Sequence, residues 1–327
     1  MGIGPDPARH AAGPAGAAVR EAGSGRRRRG TGEAGAVVTL PAQQPAAEQG
    51  TWRDSRPPAP EPEPLPAPAF DSHCHLDMVA PPVSATLARA AAAGIARVVT
   101  VGCDVASSRW AAACAAEYPQ VAAAVAIHPN ETATAAAAPG GRDGALAQIA
   151  ALAARPAVRA IGETGLDYYR DSAPPDLQRE WFRAHIDLAK QAGKPLMIHD
   201  RDAHEDVLAV LAADGAPEQV IFHCFSGDAA MARQCAAAGY VLSFAGTVTF
   251  GNAGQLREAA AVTPAELILV ETDAPFLTPA PNRGKSNAPS QAAHTLRAVA
   301  AVKRMDVAEL CAVIDATGER VFGTWGS

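Results

Sequence analysis

Histidine and carboxylate residues recur directly after short apolar runs, and these residue types bind divalent metal ions. The first run is followed by Asp71-Ser72-His73-Cys74-His75. Residues two apart in an extended strand point to the same side, so His73 and His75 are expected to project together. Burying uncompensated polar groups together costs several kcal/mol each, so their recurrence favours metal binding over ordinary packing. Four later runs end in residues of the same kind: Glu163, His199, His223 and Asp273.

These six residues are too many for one tetrahedral zinc ion that keeps an open position, so they predict a two-metal centre. Glu163 is the expected bridge between the two metal ions. Paired metal ions lower the pKa of a shared water and bind the attacking and leaving oxygens, so the predicted chemistry is hydrolysis. The donor set is compatible with Mg, Mn or Zn. We expect one ion on His73, His75 and Asp273 and the other on His199 and His223.

The elements that position these residues follow from the pattern after residue 70. Apolar runs rich in Val, Ile and Leu alternate with Ala-rich stretches of helical period, which is typical of βα units. Eight such units in about 250 residues predict an α/β fold, the (β/α)8 TIM barrel, whose strands end at one common mouth. A doubly wound sheet would need a glycine-rich turn after the first strand, where His73 and His75 stand instead. The runs begin near Phe70, Arg97, Val121, Val158, Pro195, Gln219, Tyr240 and Leu267, and helices are expected over 83–93, 107–117, 144–154, 176–193, 203–213, 229–238, 253–262, 291–304 and 306–321.

Residues 1–69 differ sharply in composition from the remainder. They contain 12 of the 27 prolines and a single aromatic residue, Trp52. Such a segment buries too little apolar surface to offset the entropy cost of ordering it. We therefore predict a disordered tail over 1–69 and a hydrolase barrel over 70–327.

Charge and hydropathy exclude several classes of protein. The net charge of −6 argues against bulk attraction to nucleic acid or to an anionic membrane, although it leaves room for a local phosphate site. No apolar run approaches the ~20 residues of a membrane-spanning helix, and the first residues lack the apolar core of a signal peptide. We therefore expect a cytoplasmic protein that has no membrane partner. We also expect it to be a monomer.

Six stretches match the motifs of one known family: 70–77, 162–168, 198–201, 223–227, 271–275 and 283–285. On this basis residues 70–327 resemble the TatD-related metal-dependent deoxyribonucleases of the amidohydrolase-like superfamily. The resemblance implies that His73, His75, Glu163, His199, His223 and Asp273 are metal ligands. It implies that Asp273 also takes a proton from the attacking water. The implied activity is metal-dependent hydrolysis of DNA, often as a 3′-to-5′ exonuclease on single strands.

Two stretches depart from the family pattern, and both concern substrate preference. His128-Pro129-Asn130 has asparagine where the family often has a second histidine, and 286–290 lacks the usual acidic and aromatic residues. Around the mouth, Arg201 and Arg283 are predicted to bind substrate phosphate. His128 is predicted to contact the substrate or the leaving oxygen.

Two other functions stay open from the sequence. An amidohydrolase-type enzyme could cleave a carboxylic ester or amide, such as an aminoacyl ester on tRNA, because metal-activated water also attacks carbonyls. Many such enzymes bridge their metals with a carboxylated lysine on the fourth strand, where this chain has Glu163, so DNA hydrolysis is favoured. The third reading is a barrel that binds without catalysis, and the presence of all six ligands argues against it.

Overall fold

Eight parallel strands form the centre of the computed structural model, which describes residues 55–80 and 82–325. Each strand pairs with the next in chain order, which confirms the predicted barrel. Almost every strand residue is buried, as expected for a parallel sheet that is covered by helices. The strands are β1 Ala69–Cys74, β2 Ile95–Gly102, β3 Val121–Val125, β4 Val158–Asp167, β5 Leu196–Arg201, β6 Val220–Phe222, β7 Val241–Phe244 and β8 Ile268–Val270.

The barrel closes between β1 and the chain that follows β8. The backbone N–H of Asp273 donates to the carbonyl of His73 at 2.9 Å, and the N–H of His75 donates to the carbonyl of Ala274 at 2.8 Å. These bonds bring the first and last predicted metal-binding segments side by side. The closure therefore places His73, His75 and Asp273 at one point of the rim.

Ten α-helices cover the barrel within the described residues, and nine of them match the helices that the periodicity predicts. The exception is the six-residue α3, which is too short to show an apolar period of its own. No helix in 55–80 or 82–325 is both long and apolar enough to cross a bilayer. The helices are α1 Val83–Ala92, α2 Val105–Glu117, α3 Thr132–Ala137, α4 Gly141–Ala153, α5 Pro175–Ala192, α6 His204–Asp214, α7 Ala229–Ala237, α8 Gly254–Val262, α9 Ala292–Lys303 and α10 Val307–Phe322.

The Pro-rich segment 55–68, hereafter the strap, packs against the outside of the barrel. Leu65 is buried, and its backbone N–H donates to the carbonyl of Ala93 at 3.0 Å. The strap carbonyls of Glu63 and Pro64 accept hydrogen bonds from the Arg297 guanidinium at 2.8 and 3.0 Å. The expectation of a disordered tail therefore does not hold for 55–69, because Ala69 begins β1 and the barrel supplies the hydrogen-bond donors that the strap lacks. The rest of that prediction, over 1–54, lies outside the described residues.

Candidate metal centre

The six predicted ligands come together at the C-terminal end of the strands. The Nε2 atoms of His73 and His75 lie 3.4 Å apart, which confirms that the two rings share one side. Nitrogen and oxygen atoms of three groups of residues converge closely enough to hold a metal ion. The groups are His73, His75 and Glu163; His73, His223 and Asp273; and His128, Glu163 and His199.

Glu163 stands between the two sides of this cluster, and its two carboxylate oxygens face different partners. Oε2 lies 3.4 Å from Nε2 of His73 and 3.9 Å from Nε2 of His75. Oε1 lies 2.6 Å from Nδ1 of His199 and 2.9 Å from Nε2 of His223. One carboxylate therefore offers a separate oxygen to each half of the predicted centre.

Two glycines let β4 lie close enough to β5 for Glu163 to reach this position. A Cβ at Gly162 would stand 2.5 Å from the Cβ of Met197, and one at Gly165 would stand 2.1 Å from the carbonyl oxygen of His199. Real Cβ atoms do not approach other atoms so closely, so any side chain would push the strands apart. Gly165 also has a φ of +141°, which L side chains rarely adopt. The glycines around Glu163 are thus part of how the sequence builds the site.

Hydrogen bonds on the outer side of the rings set which nitrogen faces the centre in three of the four predicted histidine ligands. Nδ1 of His75 lies 3.0 Å from the carbonyl oxygen of Val101, and Nδ1 of His223 lies 2.9 Å from Oε1 of Glu271. Because these oxygens only accept, each Nδ1 carries a proton and Nε2 points inward. His199 is turned the other way, with Nε2 at 3.1 Å from Asp167 and Nδ1 facing Glu163. This donor set fits divalent metal ions, since each ring can present a lone pair to the centre.

The charges of the two carboxylates in the centre also favour a bound cation. Burial alone would raise the pKa of Glu163, but the charge of His223 and hydrogen bonds from His128 and His199 hold it well below its usual range. Burial would likewise raise the pKa of Asp273, which its hydrogen bond to His75 and the nearby histidines lower instead. Both carboxylates therefore stay ionised at neutral pH inside the protein. Buried negative charge of this kind is stabilised by a cation.

His128 belongs to the cluster but differs from the predicted ligands. Its Nδ1 accepts a hydrogen bond of 3.0 Å from the backbone N–H of Asn130. Burial lowers the pKa of His128, so the ring is neutral and its single proton lies on Nε2, 3.4 Å from Glu163. A neutral His128 thus points an N–H at the centre, where the predicted ligands offer lone pairs. This favours a hydrogen bond to substrate, as the sequence predicts.

Two arginines, hereafter the rim arginines, follow predicted ligands along the chain: Arg201 ends β5 two residues after His199, and Arg283 lies in the loop after β8. The Arg201 guanidinium stands over the ring of Tyr169 at 3.9 Å, and that of Arg283 stands over Phe250 at 4.1 Å. Within 55–80 and 82–325, neither arginine forms an ion pair with a carboxylate, whereas Arg97, Arg179 and Arg183 all do. Their positive charge is thus not neutralised by a protein carboxylate of the described part of the chain.

Glu271 shapes the site but is not among the site residues that the sequence predicts. Glu271 is fully buried, and its Oε1 accepts from both the ring of His223 and the backbone N–H of Cys224, each at 2.9 Å. It therefore fixes the orientation of His223. A signal was available, because Glu271 lies two residues before Asp273 at the end of the eighth apolar run. Predicting this role requires knowing that β6 and β8 bring His223 and Glu271 together. Spacing along the chain does not give that information.

Asn130, the residue that departs from the family pattern, has a clear place in the structure. Its side-chain nitrogen donates to Oδ2 of Asp167 at 3.0 Å, the same oxygen that faces Nε2 of His199. The backbone N–H groups of Tyr169 and Arg170 donate to the other oxygen, Oδ1. Burial would raise the pKa of Asp167, but these bonds, led by the one from His199, lower it. Asn130 thus helps to hold the carboxylate that orients His199.

This chain is similar to known proteins of one family. The family model described as TatD related DNase matches residues 70–323. An uncharacterized metal-dependent hydrolase TatD of Mycobacterium tuberculosis is 47% identical over 262 residues, which cover 77% of this chain and 97% of that protein. A protein of Citrobacter rodentium named 3′-5′ ssDNA/RNA exonuclease TatD is 34% identical over 244 residues, or 72% of this chain and 90% of that protein. The crystal structure of YJJV, a TatD homologue from Escherichia coli K12, superposes with a TM-score of 0.72 at 27% identity, over 78% of this chain and 98% of that one.

Proposed function

This chain belongs to the TatD-related DNase family of metal-dependent hydrolases, and on that premise we propose that it hydrolyses phosphodiester bonds of DNA, as a 3′-to-5′ exonuclease on single-stranded ends. The observation that carries the proposal is the pair of rim arginines, Arg201 and Arg283, which lack carboxylate partners among the described residues. Guanidinium groups bind phosphate oxygens in a forked geometry. The relative named as an exonuclease acts on single-stranded DNA and RNA, which supports the same substrate class.

We propose that the centre holds two divalent ions with Glu163 as the shared ligand. His73, His75 and Asp273 would hold one ion, and His199 with His223 the other. When bound, such ions lower the pKa of water and stabilise negative charge on phosphate oxygens. The support is that Oε2 of Glu163 faces the first set and Oε1 faces the second.

The protein's own groups supply the remaining chemistry in this proposal. Asp273 stays ionised and can accept a proton from the attacking water, and its Oδ1 lies 3.5 Å from His75. His128 directs its Nε2 proton to the centre and can donate a hydrogen bond to a substrate oxygen. Arg201 and Arg283 would hold the phosphates of the strand at the rim.

A substrate panel tests the proposal. Metal-stripped protein would be assayed with Mg, Mn or Zn on end-labelled single- and double-stranded DNA, RNA, an aminoacyl-tRNA and a simple phosphodiester. We expect release of nucleotides from the 3′ end of single-stranded DNA. Hydrolysis of the aminoacyl ester with no attack on DNA would replace the proposal with the carbonyl alternative.

Metal counting tests the bridge separately. Glu163→Ala should lower the occupancy of both metal sites, whereas His223→Ala should mainly empty one, because a shared ligand belongs to both coordination shells. Equal losses of a single ion in both variants would contradict the bridging role.

Substitution of the arginines separates phosphate from carbonyl chemistry. Arg201→Ala and Arg283→Ala should each reduce DNA hydrolysis by about 10- to 1,000-fold with normal metal content, since each removes a donor to phosphate charge. Arg233→Ala, at an exposed arginine of α7, is the matched control and should leave the rate unchanged. Near-normal rates on DNA in both rim variants would show that neither arginine binds phosphate.

A further inference from the structure

Two large hydrophobic side chains are exposed within 55–80 and 82–325, and both stand at the mouth. Tyr169 is 59% exposed and follows β4, while Phe276 is 41% exposed and follows β8. Strands β4 and β8 lie four strands apart in the barrel, so the two rings stand on opposite sides of the predicted metal centre. Single exposed aromatic residues are common on protein surfaces, but here the exposed pair flanks one site.

The backbone holds Phe276 firmly beside the centre. Its N–H donates to the carbonyl of Asp273 at 2.8 Å, and its own carbonyl accepts from the side chain of Asn287. Asn287 is buried and also donates to the carbonyl of Thr272 at 2.9 Å. The Phe276 ring centroid lies 6.1 Å from that of His75, edge to face. An apolar ring is thus kept partly exposed next to a predicted metal ligand.

Tyr169 is positioned on the other side by groups that also serve the centre. Its N–H donates to Asp167 at 3.1 Å, and Asp167 orients His199. The Arg201 guanidinium lies against one face of the Tyr169 ring at 3.9 Å. Arg201 and Tyr169 thus place a positive charge beside an exposed aromatic ring. Such a pair suits a phosphate together with its attached base.

We propose that Phe276 and Tyr169 are stacking platforms for unpaired nucleobases on either side of the bond that is cut, and that Phe276 makes the enzyme prefer single-stranded ends. This inference rests on the proposed function. A base can stack on a protein ring beside the centre only when it has left its neighbours in the duplex. Every base has a π face, so stacking of this kind tolerates any sequence.

Stacking on one aromatic side chain changes affinity by about 5- to 150-fold per base. We therefore expect Phe276→Ala to lower kcat/KM by that factor on a single-stranded oligonucleotide, mainly through KM. On an oligonucleotide whose two 3′-terminal nucleotides are abasic, Phe276→Ala should have the same kcat/KM as the wild type, because no base is left to stack. Tyr169→Ala should behave alike with a smaller effect, since Arg201 covers one face of its ring.

Two further variants separate stacking from support of the fold. Phe276→Trp should restore the rate on the normal oligonucleotide, whereas Phe276→Leu keeps an apolar side chain and should not. Metal content and unfolding midpoints of all variants should match those of the wild type. The ratio of rates on single-stranded and blunt duplex DNA should fall in Phe276→Ala.

The outcomes distinguish this inference from the function on which it rests. If the wild type cleaves neither oligonucleotide with any metal, the proposed function fails and the stacking role fails with it. If the wild type cleaves both but Phe276→Ala slows them equally, or slows neither, the stacking role alone is overturned.

Discussion

The predicted metal centre and the strap are both held to the barrel by polar interactions, but through different parts of the chain. In the centre, buried ionisable side chains meet one another, as in the contacts of Glu163 with His199 and His223. In the strap, backbone carbonyls of Pro57, Pro60, Glu63 and Pro64 accept hydrogen bonds from the barrel. The centre therefore depends on which side chain stands at each position, whereas the strap depends on the path of its backbone.

This difference follows from the chemistry of the residues. Proline has no N–H, so a Pro-rich segment has more acceptors than donors and cannot satisfy them internally. Side-chain donors from α9 and the neighbouring loop, including Gln291 and Arg297, form hydrogen bonds to the strap carbonyls. Substitutions should therefore alter catalysis sharply in the centre and stability gradually in the strap.

The largest effect is expected from Asp273→Asn. Loss of a proton acceptor typically costs about 10²- to 10⁴-fold in rate, and we expect DNA hydrolysis to fall by that factor. Asp273 has a positive φ of 52°, which asparagine adopts well, so the backbone should be preserved. Asp176→Asn, at a highly exposed carboxylate of α5, is the control and should retain wild-type rates. A loss smaller than tenfold in Asp273→Asn would refute the role of Asp273 in catalysis.

His185 tests whether a buried histidine outside the centre acts only in stability. Burial lowers the pKa of His185 from its usual 6.5 to about 4. Its Nδ1–H donates to the carbonyl of Trp181, and its Nε2 accepts from the N–H of Ile127. The unfolded chain therefore binds a proton between pH 6.5 and 4 that the folded chain refuses, and stability should fall by about 3 kcal/mol as the pH drops through this window.

The check is urea unfolding at several pH values on the wild type and on His185→Gln. The variant should be less stable at pH 7 but should lose less stability on acidification, because its amide does not titrate. Identical slopes in the two proteins between pH 6.5 and 4 would contradict the assignment.

The next largest effect on the centre is expected from Glu271, which is not a predicted ligand but orients the predicted ligand His223. Substitution of a group that orients a metal-binding histidine typically costs about 10- to 100-fold in metal affinity or activity. We expect Glu271→Gln to weaken metal binding in that range while the unfolding midpoint of the metal-free protein changes little. Isothermal titration with Mn measures the change. An unchanged affinity would show that His223 needs no partner on its outer side.

Much of the fold was predictable because burial on both faces leaves a clear apolar run for each strand. All eight strands were found from such runs, and the position of polar residues after them located the mouth. Helix α3 was missed because six residues show no helical period. The strap was missed because composition reports only what a segment can bury by itself. It does not show that a neighbouring helix will supply donors.

The centre was predictable in its members but not in their orientation. His73 and His75 were paired correctly from a two-residue spacing. His128 turns its N–H toward the centre because its Nδ1 accepts from the N–H of Asn130. That orientation depends on the local turn after β3, which spacing along the chain does not show. Contacts between residues far apart in sequence, such as Glu271 with His223, require the three-dimensional arrangement of the strands.

The smallest effects are expected in the strap. Removal of residues 1–66 should lower the free energy of unfolding by about 1–3 kcal/mol relative to removal of 1–54, because it exposes the site of Leu65 and removes the carbonyls that Arg297 binds. The shorter deletion is the matched control, since it keeps every strap contact described above. Arg297→Ala alone should cost about 1 kcal/mol, because it removes two exposed hydrogen bonds.

Both deletions should retain the wild-type metal content, because no predicted ligand lies in the strap. Denaturant unfolding and metal analysis of the same preparations measure the stability and the metal content of the two deletion proteins. Equal stability of the two deletion proteins would mean that the strap rests on the barrel without stabilising it. A loss of bound metal only in the longer deletion would mean that the strap supports the loop after β8, where Arg56 donates to the carbonyl of Pro275 two residues from Asp273. In that case the centre and the strap would form one functional unit. They would differ only in the groups that make their contacts, which are side chains in the centre and backbone carbonyls in the strap.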